Sequence, residues 1–217
     1  MNEKTVFDKK SAEGMDEISK TLFAPIYPAI ADNIIKTCGI KEGVCIDLGS
    51  GPGSLAIALA KKTDLFVYAY DFSEDANEIA QKNIENCNLS GRIKTVKGDV
   101  HNILFENCFA DLIVSRGSIF FWDDPGCAFK EINRILKPGG MTYIGGGFGN
   151  KELRDDIVKK MILKDPKWEE KYKKNMSEEK RKILTQAACS LQNSKTEIIN
   201  DESGFWIVIK KESDDLV

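Results

Sequence analysis

The chain has 217 residues, a formal net charge of -3, 42% hydrophobic residues and 30% charged residues. That length fits one α/β domain, and the mild acidity offers no general attraction to nucleic acid. No apolar run approaches the roughly 18 residues of a membrane-spanning helix. The N-terminus lacks the apolar core of a secretion signal, and the six dispersed cysteines contain no C-x-x-C pair, which argues against a disulfide framework or a zinc site and for a reducing cytoplasm.

From the N-terminus, Met15, Ile18, Leu22 and Phe23 recur at helical spacing. Pro25 and Pro28 open a second helix bearing Ile26, Ile30, Ile34 and Ile35, which Gly39 ends. These helices either cover a sheet or act as a lid, with Phe7, Met15, Phe23 and Tyr27 facing a ligand. A predicted strand over 44–48 breaks at Gly49, Gly51 and Gly53 and resumes as a helix bearing Leu55, Ala56, Leu59 and Ala60. Strand, glycine turn and helix open a βαβ unit, whose helix N-terminus presents free N–H groups to a ligand. The dinucleotide fingerprint G-x-G-x-x-G does not fit, because Ser54 stands where its third glycine belongs. Asp47, two residues before the first glycine, would repel a pyrophosphate but suits a ligand with a cationic end.

The next strand, 65–70, ends at Asp71, 20 residues past Gly51, where a carboxylate can take both hydroxyls of a ribose. Phe72 follows, and Ser73 caps a helix bearing Ala76, Ile79, Ala80 and Ile84. A short alternating strand over 92–97 suits a sheet edge and leads to Gly98, Asp99, Val100 and His101. His101, the single histidine, reads as a polar surface residue unless it serves as a base. Strand 111–115 leads into Arg116 and the aromatic run Phe120, Phe121 and Trp122, which packs in the core or walls a pocket. Arg116 either holds an anionic group of a ligand or pairs with a nearby carboxylate. Asp124 and Pro125 start a helix with Ala128, Phe129, Ile132, Ile135 and Leu136 on its apolar face. A Lys137-Pro-Gly-Gly turn then leads into strand 141–144 and a glycine run, 145–149, which gives a ligand room or is a flexible exit. Residues 151–193 are charged and helical, with one helix marked by Ile157, Met161 and Ile162. A second is marked by Ile183, Leu184, Ala187, Ala188 and Leu191 and capped by Ser177. Strands 195–200 and 204–210 close the chain as an antiparallel hairpin.

The D-x-G-x-G-x-G run of 47–53, the Gly98-Asp99 pair, the E-I-N-R-I-L-K-P-G-G run of 131–140 and the terminal hairpin together resemble class I S-adenosylmethionine-dependent methyltransferases. Among these, the chain is most similar to the quinone-biosynthesis and sterol C-methyltransferases, closely over 40–150 and loosely over the hairpin. The resemblance implies an α/β fold: a doubly wound (Rossmann-like), mostly parallel seven-stranded sheet with a terminal antiparallel hairpin and helices on both faces. It implies a single domain over 1–217, with 1–39 as an N-terminal helical lid and 151–193 as an inserted helical cap. S-adenosyl-L-methionine is the implied cofactor, with no metal. Its expected neighbours are Asp47, Gly49, Ser50, Gly51 and Gly53 around the loop, Asp71 and Phe72 at the ribose, Asp99 and Val100 at the adenine, the Ser115 carbonyl at the amino group, and Tyr27 from the lid. The implied reaction moves a methyl group by direct displacement to a small-molecule acceptor. If that acceptor needs a base, Asp123, His101 and Tyr27 are the candidates. The expected partner is that small molecule, with no nucleic acid and no membrane, and the protein stands as a cytoplasmic monomer or homodimer.

Three other readings stay open. One is an NAD-dependent oxidoreductase, disfavoured by Asp47, Ser54 and the hairpin. Another is a non-catalytic S-adenosylmethionine-binding module. The third is a nucleic-acid methyltransferase, against which the acidic balance counts. So does the stretch Ser115-Arg-Gly-Ser, standing where amino-directed enzymes carry N-P-P-Y/F.

Overall fold

Strand alternation and helical capping together determine the architecture of the computed structural model, which describes residues 8–213. Two helices come first, α1 (Lys9–Lys20) and α2 (Ile26–Cys38). The i, i+4, i+8 stripe of Ile26, Ile30 and Ile34 is fully buried, and Gly39 ends α2 in the left-handed conformation at φ 70. Then follow β1 (Glu42–Leu48), α3 (Ser54–Lys62), β2 (Asp64–Asp71), α4 (Glu74–Asn86), β3 (Ile93–Lys97) and β4 (Ala110–Arg116). A 3-10 helix (Ser118–Phe121) precedes α5 (Pro125–Ile135) and β5 (Leu136–Gly147). The remaining elements are α6 (Lys151–Lys164), α7 (Trp168–Asn175), α8 (Glu178–Cys189), β6 (Ser194–Asp201) and β7 (Gly204–Lys211). Side chains satisfy the first helical N–H groups at the expected caps: Ser73 Oγ accepts from Ala76, Asp124 Oδ1 from Cys127, and Ser177 Oγ from Lys180.

The seven strands lie in the order β3-β2-β1-β4-β5-β7-β6. The first five run parallel, and β7 pairs antiparallel with both β5 and β6. The expected doubly wound sheet with its terminal hairpin is therefore present, with β3 on one edge. Period-two alternation sends Cys45, Val67, Leu112 and Val114 into one core, against α2, α3 and α4. It sends Ile46, Leu48, Ile113 and Ile144 into the other, against α5 and α8. Asp47 lies on the first face, directed at the layer that holds α3.

Two local expectations need correcting. The Lys137-Pro-Gly-Gly stretch is not a turn ahead of the strand but part of β5, where the pairing with β4 jumps from Ala110–Leu136 to Leu112–Met141. The surplus residues loop out as an irregularity and β5 resumes in register. The segment 151–193 forms three helices, not two. The additional one, α7, contains no buried residue, so no periodic apolar stripe announces it. Its signals are Asp165, whose Oδ1 accepts from the Lys167 N–H, and the i, i+4 pair Trp168 and Tyr172, whose rings stack 5.1 Å apart.

Candidate functional site

The carboxyl ends of β1, β2, β4 and β5 open into one cavity of about 730 Å³, walled by α1, the start of α2 and α7. This is the switch point of a doubly wound sheet, where the chain leaves β1 and β4 in opposite directions and a crevice must form.

The glycine loop forms its floor. The N–H groups of Gly49 and Ser50 donate to the Tyr70 carbonyl at 2.8 and 3.2 Å, and the Gly51 N–H donates to Asp71 Oδ2 at 2.9 Å. The loop is thus suspended from the end of β2. Gly51 has φ 52, and a Cβ there would meet nothing within 4 Å; a side chain would project into free space at the cavity wall. Ser50 Oγ is buried without a hydrogen-bond partner, a polar atom that a ligand could satisfy.

Asp47 is 1% exposed, and its Oδ2 accepts from the Ala56 N–H at the start of α3 at 3.2 Å. Burial drives its pKa from an ordinary 3.8 to about 8, against the pull of the Ala56 N–H and with a further push from Asp71. Burial also raises Asp71, although N–H groups of Ser73 and Gly51 hold it down. Two buried carboxylates on which no cation acts among the described residues, next to an orphaned hydroxyl, fit a ligand that carries a positive charge and hydroxyl donors. The donor set therefore fits S-adenosyl-L-methionine.

Of the remaining expected cofactor neighbours, Gly49, Ser50, Gly51, Phe72, Asp99, Val100 and Tyr27 line the cavity. Gly53, at φ 80, caps α3 just behind the lining. Ser115 is fully buried with its hydroxyl 2.7 Å from Ser118 Oγ, and Arg116, Gly117 and Ser118 line the cavity in its place. From the N-terminal segment, Met15, Phe23 and Tyr27 reach the wall, whereas Phe7 lies outside the described residues. Within 151–193, α7 and the Met176 that follows it line the cavity, while α8 packs under the sheet.

His101 has a specific job. The Asp124 N–H donates to its Nε2 at 3.2 Å, which places the ring proton on Nδ1, and that N–H meets Asp99 Oδ1 at 2.7 Å. Burial pushes Asp99 up, but the backbone and ring N–H groups of His101 outweigh it and hold Asp99 below its ordinary value. The imidazole clips the loop after β3 to the loop before α5, and both ring nitrogens are engaged in hydrogen bonds. Burial raises the Tyr27 phenol, with Arg116 opposing, so Tyr27 offers a hydrogen bond at neutral pH rather than a phenolate base. Asp123 is exposed at the rim.

The far half of the cavity is aromatic. Phe148 contacts Phe23, Trp168 and Tyr172, with ring centroids 6.2, 6.4 and 5.7 Å away. Phe120, Phe121 and Trp122 complete the wall. The glycines at the end of β5 serve close approach more than ligand room: a Cβ on Gly146 would strike the Phe120 ring at 2.5 Å. Among the described residues no cluster of three or more His, Cys, Asp or Glu could hold a metal, and no helix is long and apolar enough to cross a membrane.

Known proteins share these features. A family model described as a methyltransferase domain matches residues 46–144. A crystal structure from Methanococcus maripaludis, described as a candidate S-adenosyl-L-methionine-dependent methyltransferase, is 57% identical with a TM-score of 0.93, over 100% of this chain and 99% of that one. The sterol 24-C-methyltransferase of Aspergillus fumigatus is 33% identical over 121 residues, which is 54% of this chain and 32% of that protein. The demethylmenaquinone methyltransferase of Staphylococcus aureus is 32% identical over 112 residues, 50% of this chain and 45% of that protein. The chain thus spans less than half the length of these curated relatives.

Proposed function

The chain belongs to the S-adenosyl-L-methionine-dependent methyltransferase family, and we propose that it methylates a small molecule held in the aromatic half of the cavity. Family membership also removes the nicotinamide alternative. The observation that carries the reading is the pairing of two unlike halves in one cavity. One half holds buried carboxylates without a cation, and the other is an aromatic chamber with room for a second ligand.

When bound, S-adenosyl-L-methionine supplies a methyl group on a positively charged sulfur, so the protein's task is positioning and exclusion of water. In this reading Asp47 and the loop of Gly49, Ser50, Gly51 and Gly53 hold the amino-acid end. Asp71 takes the ribose hydroxyls. Asp99 Oδ2, which His101 leaves open by bonding to Oδ1, takes the adenine amine, beside Val100 and Phe72. Tyr27 closes the top from α2 and donates its phenol proton as a hydrogen bond. With His101 committed to the loop clip, the chemistry favours an acceptor whose nucleophile needs no strong base, or one that Asp123 at the rim can serve. The cysteines, all without disulfides among the described residues, support a cytoplasmic setting, as monomer or homodimer.

Calorimetry with S-adenosylhomocysteine tests the reading. Saturable binding is expected, and a flat trace at millimolar ligand would overturn it. Incubation with methyl-labelled cofactor and a whole-cell extract should then place label in a low-mass product; label in RNA or DNA instead would refute the acceptor class.

A further inference from the structure

Arg116, the last residue of β4, has no carboxylate of its own. Its Nε and Nη2 both donate to the Gly147 carbonyl at 3.2 Å. Aromatic rings surround the guanidinium: its centre lies 4.7 Å from the Phe23 ring centroid, 5.8 Å from that of Phe148 and 5.9 Å from that of Tyr27. Burial lowers its pKa, opposed by the neighbouring phenols of Tyr27 and Tyr172. The carboxylates lining the cavity are Asp8, Asp47, Asp71, Asp99 and Asp123. Asp8 caps α1, Asp99 is bonded to His101, and Asp47 and Asp71 bind the glycine loop. Lys171, the other cation on the wall, is two-thirds exposed and paired with Asp165 at 3.0 Å. Asp123 is exposed at the rim, so among the described residues the aromatic half contains one half-buried cation and no carboxylate paired with it.

Removing a guanidinium from water without an anion costs several kcal/mol, and ring faces offset only part of that. The Gly147 carbonyl occupies the Nε–Nη2 edge and leaves the Nη1–Nη2 edge open. That edge has the spacing of a carboxylate's two oxygens. A phosphate dianion would call for a second cation, and Lys171 is already paired with Asp165.

We propose that the methyl acceptor carries a carboxylate, seated on the open edge of Arg116, on a flat apolar body packed among Phe23, Phe148 and Tyr172. This rests on the methyltransferase reading and narrows its substrate class. The carboxylate is an anchor; the atom that receives the methyl group lies elsewhere on the acceptor. Arg116 is then a specificity-determining residue.

The test titrates the whole protein, saturated with S-adenosylhomocysteine, with benzoate, 3-phenylpropionate and 2-naphthoate, each against its neutral primary amide. At least one acid should bind about ten-fold or more tightly than its amide at pH 7. Arg116→Gln should remove that preference while leaving S-adenosylhomocysteine affinity within about two-fold, and Arg116→Lys should restore it only in part, since an ammonium lacks the fork. The acid–amide comparison on the unaltered protein needs no variant, so it stands if Arg116→Gln fails to fold. Equal binding of every acid and its amide would overturn the anchor, as would a preference that survives in Arg116→Gln. Failure of S-adenosylhomocysteine itself to bind would instead strike at the methyltransferase reading, and the anchor with it.

Discussion

Asp47 is where a single side chain has the largest consequence. Its folded pKa of about 8 stands above the ordinary 3.8, so the folded state holds a proton that the unfolded chain releases. Its contribution to stability is complete below about pH 4 and is lost as the pH rises toward 8. Asp47→Asn keeps an acceptor for the Ala56 N–H and removes the titration. Urea unfolding should therefore show the variant gaining on the parent between pH 5 and 8, by no more than about 1.4 kcal/mol per pH unit. A gap that shrinks with rising pH would contradict this. The same group predicts proton release. At pH 7 the free protein carries Asp47 protonated, and a ligand ammonium beside it favours the anion. Binding of S-adenosylhomocysteine, measured in phosphate and in Tris, should release up to one proton from the parent and none from Asp47→Asn. Asp47 was legible in the sequence because its place is set two residues before a glycine turn. The clip at His101 was not, since its meaning depends on the N–H of Asp124, which only the fold brings near. Arg116 was half legible: its position at the end of β4 placed it at the cavity wall, but that it pairs with no carboxylate among the described residues emerges only from tertiary contacts.

Among the elements, α1 is held by a small number of bonds. Asn83 on α4 donates to Asp16 Oδ1 at 2.7 Å and to the Pro52 carbonyl at 2.9 Å, and so joins α1 to the glycine loop through one buried amide. Asn83→Ala deletes both bonds, about 1–3 kcal/mol together. Amide hydrogen exchange in α1 should accelerate well beyond that in β1, and S-adenosylhomocysteine should bind several-fold more weakly. Unchanged exchange in α1 would mean that apolar packing alone holds it. The contrast with α7 explains what could be read in advance. Ile26, Ile30 and Ile34 announce α2 because helical period and burial coincide. In α7 the aromatics Trp168 and Tyr172 line the cavity at the edge of the core and none of its residues is fully buried, so the helix reads as a charged linker. The Lys137-Pro-Gly-Gly stretch carries turn chemistry, but the pairing of β4 with β5 on both sides absorbs it into a strand.

For the molecule as a whole, the cavity draws its walls from α1 and α2, from the ends of four strands and from α7, so occupancy should tighten the entire fold. At a hundred-fold excess over its dissociation constant, S-adenosylhomocysteine should add about 2.7 kcal/mol. In a chain of this size that corresponds to roughly 5–11 °C in Tm, readable by calorimetric scanning. A Tm that stays fixed at that concentration would mean that the ligand does not bind the folded protein in preference to the unfolded chain. The global topology was readable because five alternating or apolar runs separated by helical patterns, followed by a hairpin, leave few arrangements that bury both sheet faces.

Tyr27 lies between the two halves: Arg116 lowers the pKa of its phenol, and Asp47, once ionised, raises it. In the proposed reading, a nucleoside that ionises Asp47 and an acceptor that neutralises Arg116 would each alter the field at this phenol, so the two bindings would be thermodynamically linked. By reciprocity, the factor by which the nucleoside strengthens acceptor binding equals the factor by which the acceptor strengthens retention of the nucleoside. One phenol ring would then couple the two ligands of the proposed ternary complex.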